Sequence, residues 1–561
     1  MPTTKKGKFI RRILLIALSV FVLLLLVVYL MADSIVIPIL KDRLHTLIIQ
    51  GSDSLYTYKL GKLKANFFGG NVEVENLQVE VDSSRYQYLS ERNELPSLTM
   101  QLSLGSGKIR GIGILALLLG KRININEIVS ADADIRITRH IRKRTQLHNT
   151  IPIWKAIQPK IASISIDQIK LVGIKMHYKN IDTSESVKLQ FDRFDASFKN
   201  IKIDSAASVD TTRIGFTKEI EMKFRELKFR TEDSLYKMKA KEIAYSSVKR
   251  TLEIDSFKLQ TTVDKNEFYA KKGRQADMYY IEFDKVKFSN IRLDHFLYNN
   301  VIEADSVVFN NPDIDIYNDR SYPLNYASKI GKYPHQELLR ASSTIIIKSI
   351  LVHNGQILYT EKDPVTSQEG TFSISAMNMK ARNITNDSGE IHQNPVMTAD
   401  VTGKILGSSA LSSHFDFYLD SSDGRFSSSG SINSVTADQL NKLAVPLGNV
   451  ELTSIQMQQL NYTLRGQDFQ ATADVRMRYS NLALILRKTD KVTGETKAKK
   501  FATKIVNKFI LWPSNPGSDG KERIAVNKTV SRLTTQAFFG LIWKTVFAGM
   551  EDIMMRSGRY E

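Results

Sequence analysis

Along this chain, apolar residues recur at relative positions 0, 2, 5 and 7, with a polar pair in the gap. Strict cases are Val72-Val74-Leu77-Val79, Ile164-Ile166-Ile169-Leu171, Met222-Phe224-Leu227-Phe229, Leu252-Ile254-Phe257-Leu259, Ile281-Phe283-Val286-Phe288 and Val450-Leu452-Ile455-Met457. Leu189-Phe191-Phe194-Ala196 is a seventh. Ile345-Ile347-Ile350-Val352 and Phe372-Ile374-Met377-Met379 are looser, with an apolar residue in the gap. At 42% apolar residues, chance supplies ~2 such cases in a chain of this length. The spacing fits neither a helix nor a plain strand. Strand side chains alternate between faces, so one extra residue, a β-bulge, returns positions 5 and 7 to the face of 0 and 2. A two-residue hairpin turn is the rival, but such turns favour glycine at defined positions. The gap pairs Glu75-Asn76, Asp167-Gln168, Arg225-Glu226, Asp255-Ser256, Asp284-Lys285 and Thr453-Ser454 contain none. The expectation is a mainly β chain: an elongated, curved antiparallel sheet with one apolar face and short flanking helices.

Residues 13–31 form an uncharged apolar run long enough, as a helix, to cross a bilayer. Lys5, Lys6, Lys8, Arg11 and Arg12 precede it and Asp33 follows, so residues 1–12 are expected in the cytoplasm and the rest outside it. The run is long for a signal peptide and Leu30-Met31-Ala32 is a poor cleavage site, which favours a retained single-pass anchor. A formal net charge of +19 suits nucleic acid or anionic lipid, and export argues against nucleic acid. The absence of cysteine excludes disulfides and thiolate metal sites.

Beyond the anchor, a short helix is expected over 34–49 and a first β region with short helices over 33–140, including a buried apolar stretch at 112–119. A basic, proline-bearing connector covers 141–160, a β-groove middle region 161–317, a Tyr- and Pro-rich loop 318–343, and a further β region 344–488 with a helix near 437–443. The tail, 489–561, is basic and holds two helices. The first, 498–512, places Phe501, Ile505 and Phe509 beside Lys500, Lys504 and Lys508, as helices on anionic headgroups do; a helix capping the sheet end has the same pattern. The second, 530–555, is very apolar and could close the sheet, dock a partner or touch a membrane. No catalyst is evident. His177 and His353 fall on strands and His335 and His392 in expected loops, without metal-binding spacing. Asp132/Asp134 and Asp313/Asp315 read as the wet face of strands, and no cofactor or metal site is expected.

Four features resemble the AsmA-like envelope proteins of diderm bacteria. They are the basic-led anchor, LLLGKRININEIVSADADIRITRH (117–140), the strand units ISIDQIKLVGIKMHY (164–178) and IIIKSILVHNGQILY (345–359), and the block 430–488 ending MRYSNLALILRK. The two strand units differ by a residue near Gly173 and Gly355. The resemblance makes 33–140 and 344–488 AsmA-like regions. It implies an inner-membrane-anchored periplasmic protein whose β-groove binds and conducts phospholipid between inner and outer membrane and supports envelope integrity. The twenty-four residues of the six complete patterns above, Val72 to Met457, become candidate lipid contacts, and Lys500, Lys504, Lys508 and Trp512 candidate membrane-surface contacts. Expected partners are phospholipids, the inner membrane, and outer-membrane proteins or lipids. The alternative is a scaffold for outer-membrane protein assembly by strand addition. Whether the apolar face is an open groove or a filled core stays open at this point.

Overall fold

A computed structural model describes residues 45, 48–49, 52–66, 69–92, 94–96, 98–113, 122–139, 162–180, 187–231, 233–489, 496–518 and 520–556. The expected anchor at 13–31, most of 34–49 and 112–119, and the connector 141–160 lie outside these residues. Twenty-one strands and eight α-helices occur among the described residues, so the chain is mainly β. It divides into two compact units, one up to Ser256 plus 290–300, the other 257–289 plus 301 onward. The expected middle region 161–317 is therefore shared between them.

The first unit holds β1 (Tyr56–Asn66), β2 (Asn71–Val81), helix α1 (Ser83–Glu91), β3 (Leu98–Arg110), β4 (Arg122–Arg139), β5 (Ser163–Asn180), β6 (Val187–Ile203), β7 (Glu219–Arg230) and β8 (Tyr236–Ser246). β9 (Thr251–Thr261) carries the chain into the second unit. β1 to β4 pair antiparallel in sequence, as do β5 to β8. β4 and β5, however, run parallel. The expected all-antiparallel sheet is thus corrected to a mixed one. Residues 140–162 supply the dozen or more residues that a parallel crossover needs.

The polar gap is built in two ways. Asn76, Glu226 and Ser256, each the second gap residue, adopt left-handed φ of 55°, 53° and 51°. On β2, Leu77 still faces Leu60 and Leu104 while Glu75 faces Lys62 and Ser106, so Asn76 is matched one for one. The expected extra residue is absent there; a kink places two successive side chains outward instead. The kinks align across strands: Gly61, Asn76, Gly105, Asp132 (φ 56°) and Gly173 (φ 66°) share one level from β1 to β5. A Cβ on Gly61 would come within 2.8 Å of the Glu75 carbonyl oxygen, which explains the glycine. On β6 the expected bulge does occur, since Asp192 and Arg193 lie between the partners of Ile174 and Met176 and face Lys175 alone.

The second unit repeats this design. β10 (Met278–Ser289) pairs antiparallel with β11 (Val301–Asn310) and β12 (Asp313–Asp319), and both of these run parallel to β13 (Thr344–Lys362). β13 leads antiparallel into β14 (Glu369–Thr385), as β5 leads into β6. Gly173 and Asn354, each nine residues after the leading isoleucine of its unit, are both left-handed. The apparent one-residue offset between Gly173 and Gly355 is therefore no register difference, because Asn354 matches Gly173. Asn311 (φ 48°) likewise matches Asp132.

β15 (Val396–Ile405), β16 (Ser409–Tyr418), β17 (Phe426–Thr436), β18 (Val450–Gln467) and β19 (Gln470–Thr489) continue antiparallel, with β20 (Thr496–Ala498) and β21 (Ile524–Ser531) beside β19. The remaining helices are α2 (Lys265–Lys272), α3 (Leu293–Asn299, in the first unit), α4 (Pro334–Leu339), α5 (Ser388–Gln393), α6 (Ala437–Gly448), α7 (Lys500–Ile505, continued by a π turn to Ile510) and α8 (Phe538–Met554). His335 and His392 thus sit in short helices rather than loops, and residues 530–531 are strand rather than helix.

Candidate functional site

In the first unit, apolar side chains of β4, β5 and β6 meet in cross-strand pairs such as Ile125–Ile166–Ile201. Ile123, Ile125, Ile128, Ile164, Ile166, Ile169, Ile201 and Ile203 form one sealed cluster, with Ile166 1% exposed. Burying each is worth ~2 kcal/mol, so this end of the face is a core. The sequence patterns singled out three of these eight. The others continue the same spacing, Ile123-Ile125-Ile128, which was the available signal.

Along the same face the cover thins. Phe191, Phe194 and Ala196 are buried, but Met222, Phe224, Leu227 and Phe229 on β7 are only half-buried. Phe194 and Phe224 stack with centroids 4.5 Å apart, and Phe191 meets Phe224 edge-on at 5.3 Å. Leu252 and Ile254 on β9, and Val74, Val79 and Leu171, are half-buried too, whereas Val72 and Leu77 are buried. Among the described residues no α-helix makes extensive contact with β4 to β8, and α3 only approaches Tyr245 at the β8 end.

The opposite face is ionic. Arg225 on β7 reaches Asp195 on β6 (2.6 Å) and Glu242 on β8 (2.9 Å), and Lys170 on β5 reaches Glu127 on β4 (2.8 Å). The Lys170 ammonium holds Glu127 below the usual carboxylate range. Asp195 is likewise lowered: burial opposes the shift, but Arg193, the Gly173 N–H and Arg225 together overcome it. These strands therefore separate charge and grease cleanly between their two faces.

In the second unit the apolar face starts half-buried and ends filled. Phe257, Leu259, Ile281, Phe283 and Phe288 are half-buried, with Val286 buried between them, and Phe257 stacks on Phe283 at 4.5 Å. Further on, α6 lies on β14, β17 and β18, and α8 lies on β19 and β21. Ile455 and Met457 are buried there, while Val450 and Leu452 remain half-buried. The crossover from β12 to β13 crosses to the β18–β19 turn. Gln336 donates to Asp468, and the Tyr333 hydroxyl donates to the Gln467 carbonyl at 2.9 Å. Tyr333, His335, Phe417, Phe426 and Phe538 pack together as an aromatic plug. His335 is fully buried with both ring nitrogens unpaired, and burial lowers its pKa to about 4.

Lys500 and Lys504 are exposed on α7, and Lys508 on the π turn that follows. Trp512 is half-buried between the Arg523 and Arg556 guanidinium groups, 3.7 and 4.9 Å from its ring, which makes it a packing residue. His414 is held between Asp400 (2.7 Å) and Asp416 (3.0 Å) on neighbouring strands, which raises its pKa. Among the described residues no group of three or more His, Asp or Glu is placed to hold a metal ion. No described helix is long and apolar enough to cross a membrane. The chain matches no family model and no curated protein.

Proposed function

We propose that this chain is an AsmA-like envelope protein, anchored by residues 13–31, that binds phospholipid acyl chains along its apolar sheet face and moves them between the inner and outer membranes. The observation that carries this reading is the half-buried row Met222, Phe224, Leu227 and Phe229, with which no described helix makes extensive contact. A row of this kind, backed by an ionic outer face, offers an acyl chain ~0.8 kcal/mol per methylene buried. Residues Ile164, Ile166 and Ile169 fall out of the contact set because they are sealed in a core. In the second unit the contact set narrows to the residues near Phe257, Ile281 and Phe283, ahead of the aromatic plug.

The scaffold reading draws less support at the C-terminal end, where strand addition needs a free edge and the edge of β19 is already taken. Asn507 hydrogen-bonds both the N–H and the carbonyl of Leu484, Thr503 accepts from Leu486, and Asn515 pairs with Tyr479. The test is mass spectrometry of lipid retained by the full chain after gentle extraction. Retained phospholipid that falls severalfold in Phe224→Glu, with the circular dichroism spectrum unchanged, is the expected result. A chain free of phospholipid, or one whose lipid content ignores Phe224→Glu, overturns the proposal.

A further inference from the structure

The α7 segment docks with the wrong face for an ordinary surface helix. Amphipathic helices normally bury their apolar stripe and show polar residues to water. Here the docking residues are Thr503 and Asn507, one turn apart, which satisfy the backbone of Leu484 and Leu486 on the β19 edge. Ala502 and Val506 are half-buried beside them, but the larger apolar residues point outward: Phe501 is 79% exposed, Ile505 37% and Ile510 40%. Lys499, Lys500 and Lys504 alternate with them, and none of these has a carboxylate partner among the described residues. Residues 496–518 contain no Asp or Glu.

We infer that this inverted helix is a docking surface for an anionic phospholipid bilayer. Its exposed phenylalanine and isoleucines enter the boundary between headgroups and acyl chains, while the lysines meet lipid phosphates. The charge argues for lipid over protein. A protein partner would bury Phe501 against an apolar surface and would have to match the three ammonium groups beside it, whereas a bilayer surface offers both layers at fixed depth. The pinning by Asn507 and Thr503 means the helix is formed before contact, so binding does not have to order it. The inference stands independently of lipid carriage by the sheet face.

The chain has no cysteine, so Ile505→Cys gives a single attachment point for an environment-sensitive fluorophore. The full chain, held in a neutral-lipid nanodisc, is mixed with vesicles of phosphatidylcholine alone or of phosphatidylcholine with phosphatidylglycerol. The expected result is a blue shift, and quenching by brominated acyl chains, with the anionic vesicles only. Lys500→Glu combined with Lys504→Glu should weaken that vesicle affinity at least about tenfold. A label at Val209, 78% exposed in the first unit, should not respond. A label at 505 that ignores both vesicles, or answers both equally, overturns the inference. A label shielded only by added envelope protein replaces the bilayer with a protein partner. Retained lipid unchanged in the lysine variant keeps this result separate from the fate of the sheet-face proposal.

Discussion

The backbone N–H of Gly173 on β5 donates to Oδ1 of Asp195 on β6 at 2.8 Å. Gly173 is the left-handed residue of its strand's kink, and Asp195 is the single residue lying between the β6 partners of Leu171 and Ile174. One carboxylate thus satisfies a backbone donor that the bulge takes out of the ladder. The second unit solves the same problem with amides. Asn311 donates to Asp284 (2.7 Å), Asn354 donates to Asn311 (2.9 Å), and the Asn354 N–H donates to Asn378 (3.3 Å). The polar gaps are therefore a working seam that keeps a kinked sheet hydrogen-bonded.

Asp195→Ala removes the acceptor for Gly173, unpairs Arg193 and leaves Arg225 with Glu242 alone. The expected loss is about 2 kcal/mol of stability, read by urea unfolding. The pH sign follows from the lowered pKa of Asp195. Its contribution is fully present above the ordinary carboxylate value near 4 and is lost as pH falls through the lower folded value. The gap between wild type and variant should therefore close in acid.

How much of this was legible depended on distance along the chain. The apolar face was readable because its period lies within eight residues, as in Met222 to Phe229. The outward kink was readable only in part. Asparagine tolerates left-handed φ better than most residues, and Asn76, Asn200, Asn311, Asn354 and Asn481 all use it, so asparagine within or just after a strand marks the kink in the sequence. Parallel pairing of β4 with β5 was not legible, because it joins residues about forty positions apart through a connector without a pattern of its own. Nor was the filling of the second unit. Tyr333, Phe417 and Phe538 come from a crossover, a strand and a distant helix, and nothing local to any of them announces the plug. The open row on β7 and the sealed row on β5 have the same sequence pattern for the same reason.

That difference makes paired substitutions informative. Ile166→Asp puts a charge into a cluster where the side chain is 1% exposed, and an unpaired buried charge should prevent folding of the first unit. Phe224→Glu and Phe283→Asp sit on half-buried rows, and the expected outcome is a folded chain that retains less phospholipid. Limited proteolysis reports the fold and mass spectrometry the lipid.

Gly549→Ala sets two effects against each other. Alanine favours a helix over glycine by about 1 kcal/mol. A Cβ at this position, however, would fall 2.4 Å from Val475 Cγ2, where α8 crosses β19. Overpacking at a contact this close costs ~1–3 kcal/mol and should win. The variant is expected to unfold at lower urea, and adding Val475→Ala should recover only part of the loss, because the Val475 Cβ would still lie 2.9 Å away.

His335 makes the stability of the second unit depend on pH in mild acid. Burial holds its folded pKa at about 4, below the usual value of 6.5. The unfolded chain binds the proton more readily, so stability is complete above about pH 6.5 and falls steadily toward pH 4. Integrated over that window the loss is on the order of 3 kcal/mol. Because Tyr333 and Phe417 pack against the ring, a phenylalanine fits the same aromatic setting without a titratable nitrogen. His335→Phe is expected to flatten the stability of the second unit between pH 6.5 and 4 while leaving it near wild type at pH 8. Unfolding curves collected across that range, followed by tyrosine fluorescence, decide the matter. A wild-type chain whose stability does not change over this window, or a variant that keeps the same slope, would show that His335 is not the group responsible.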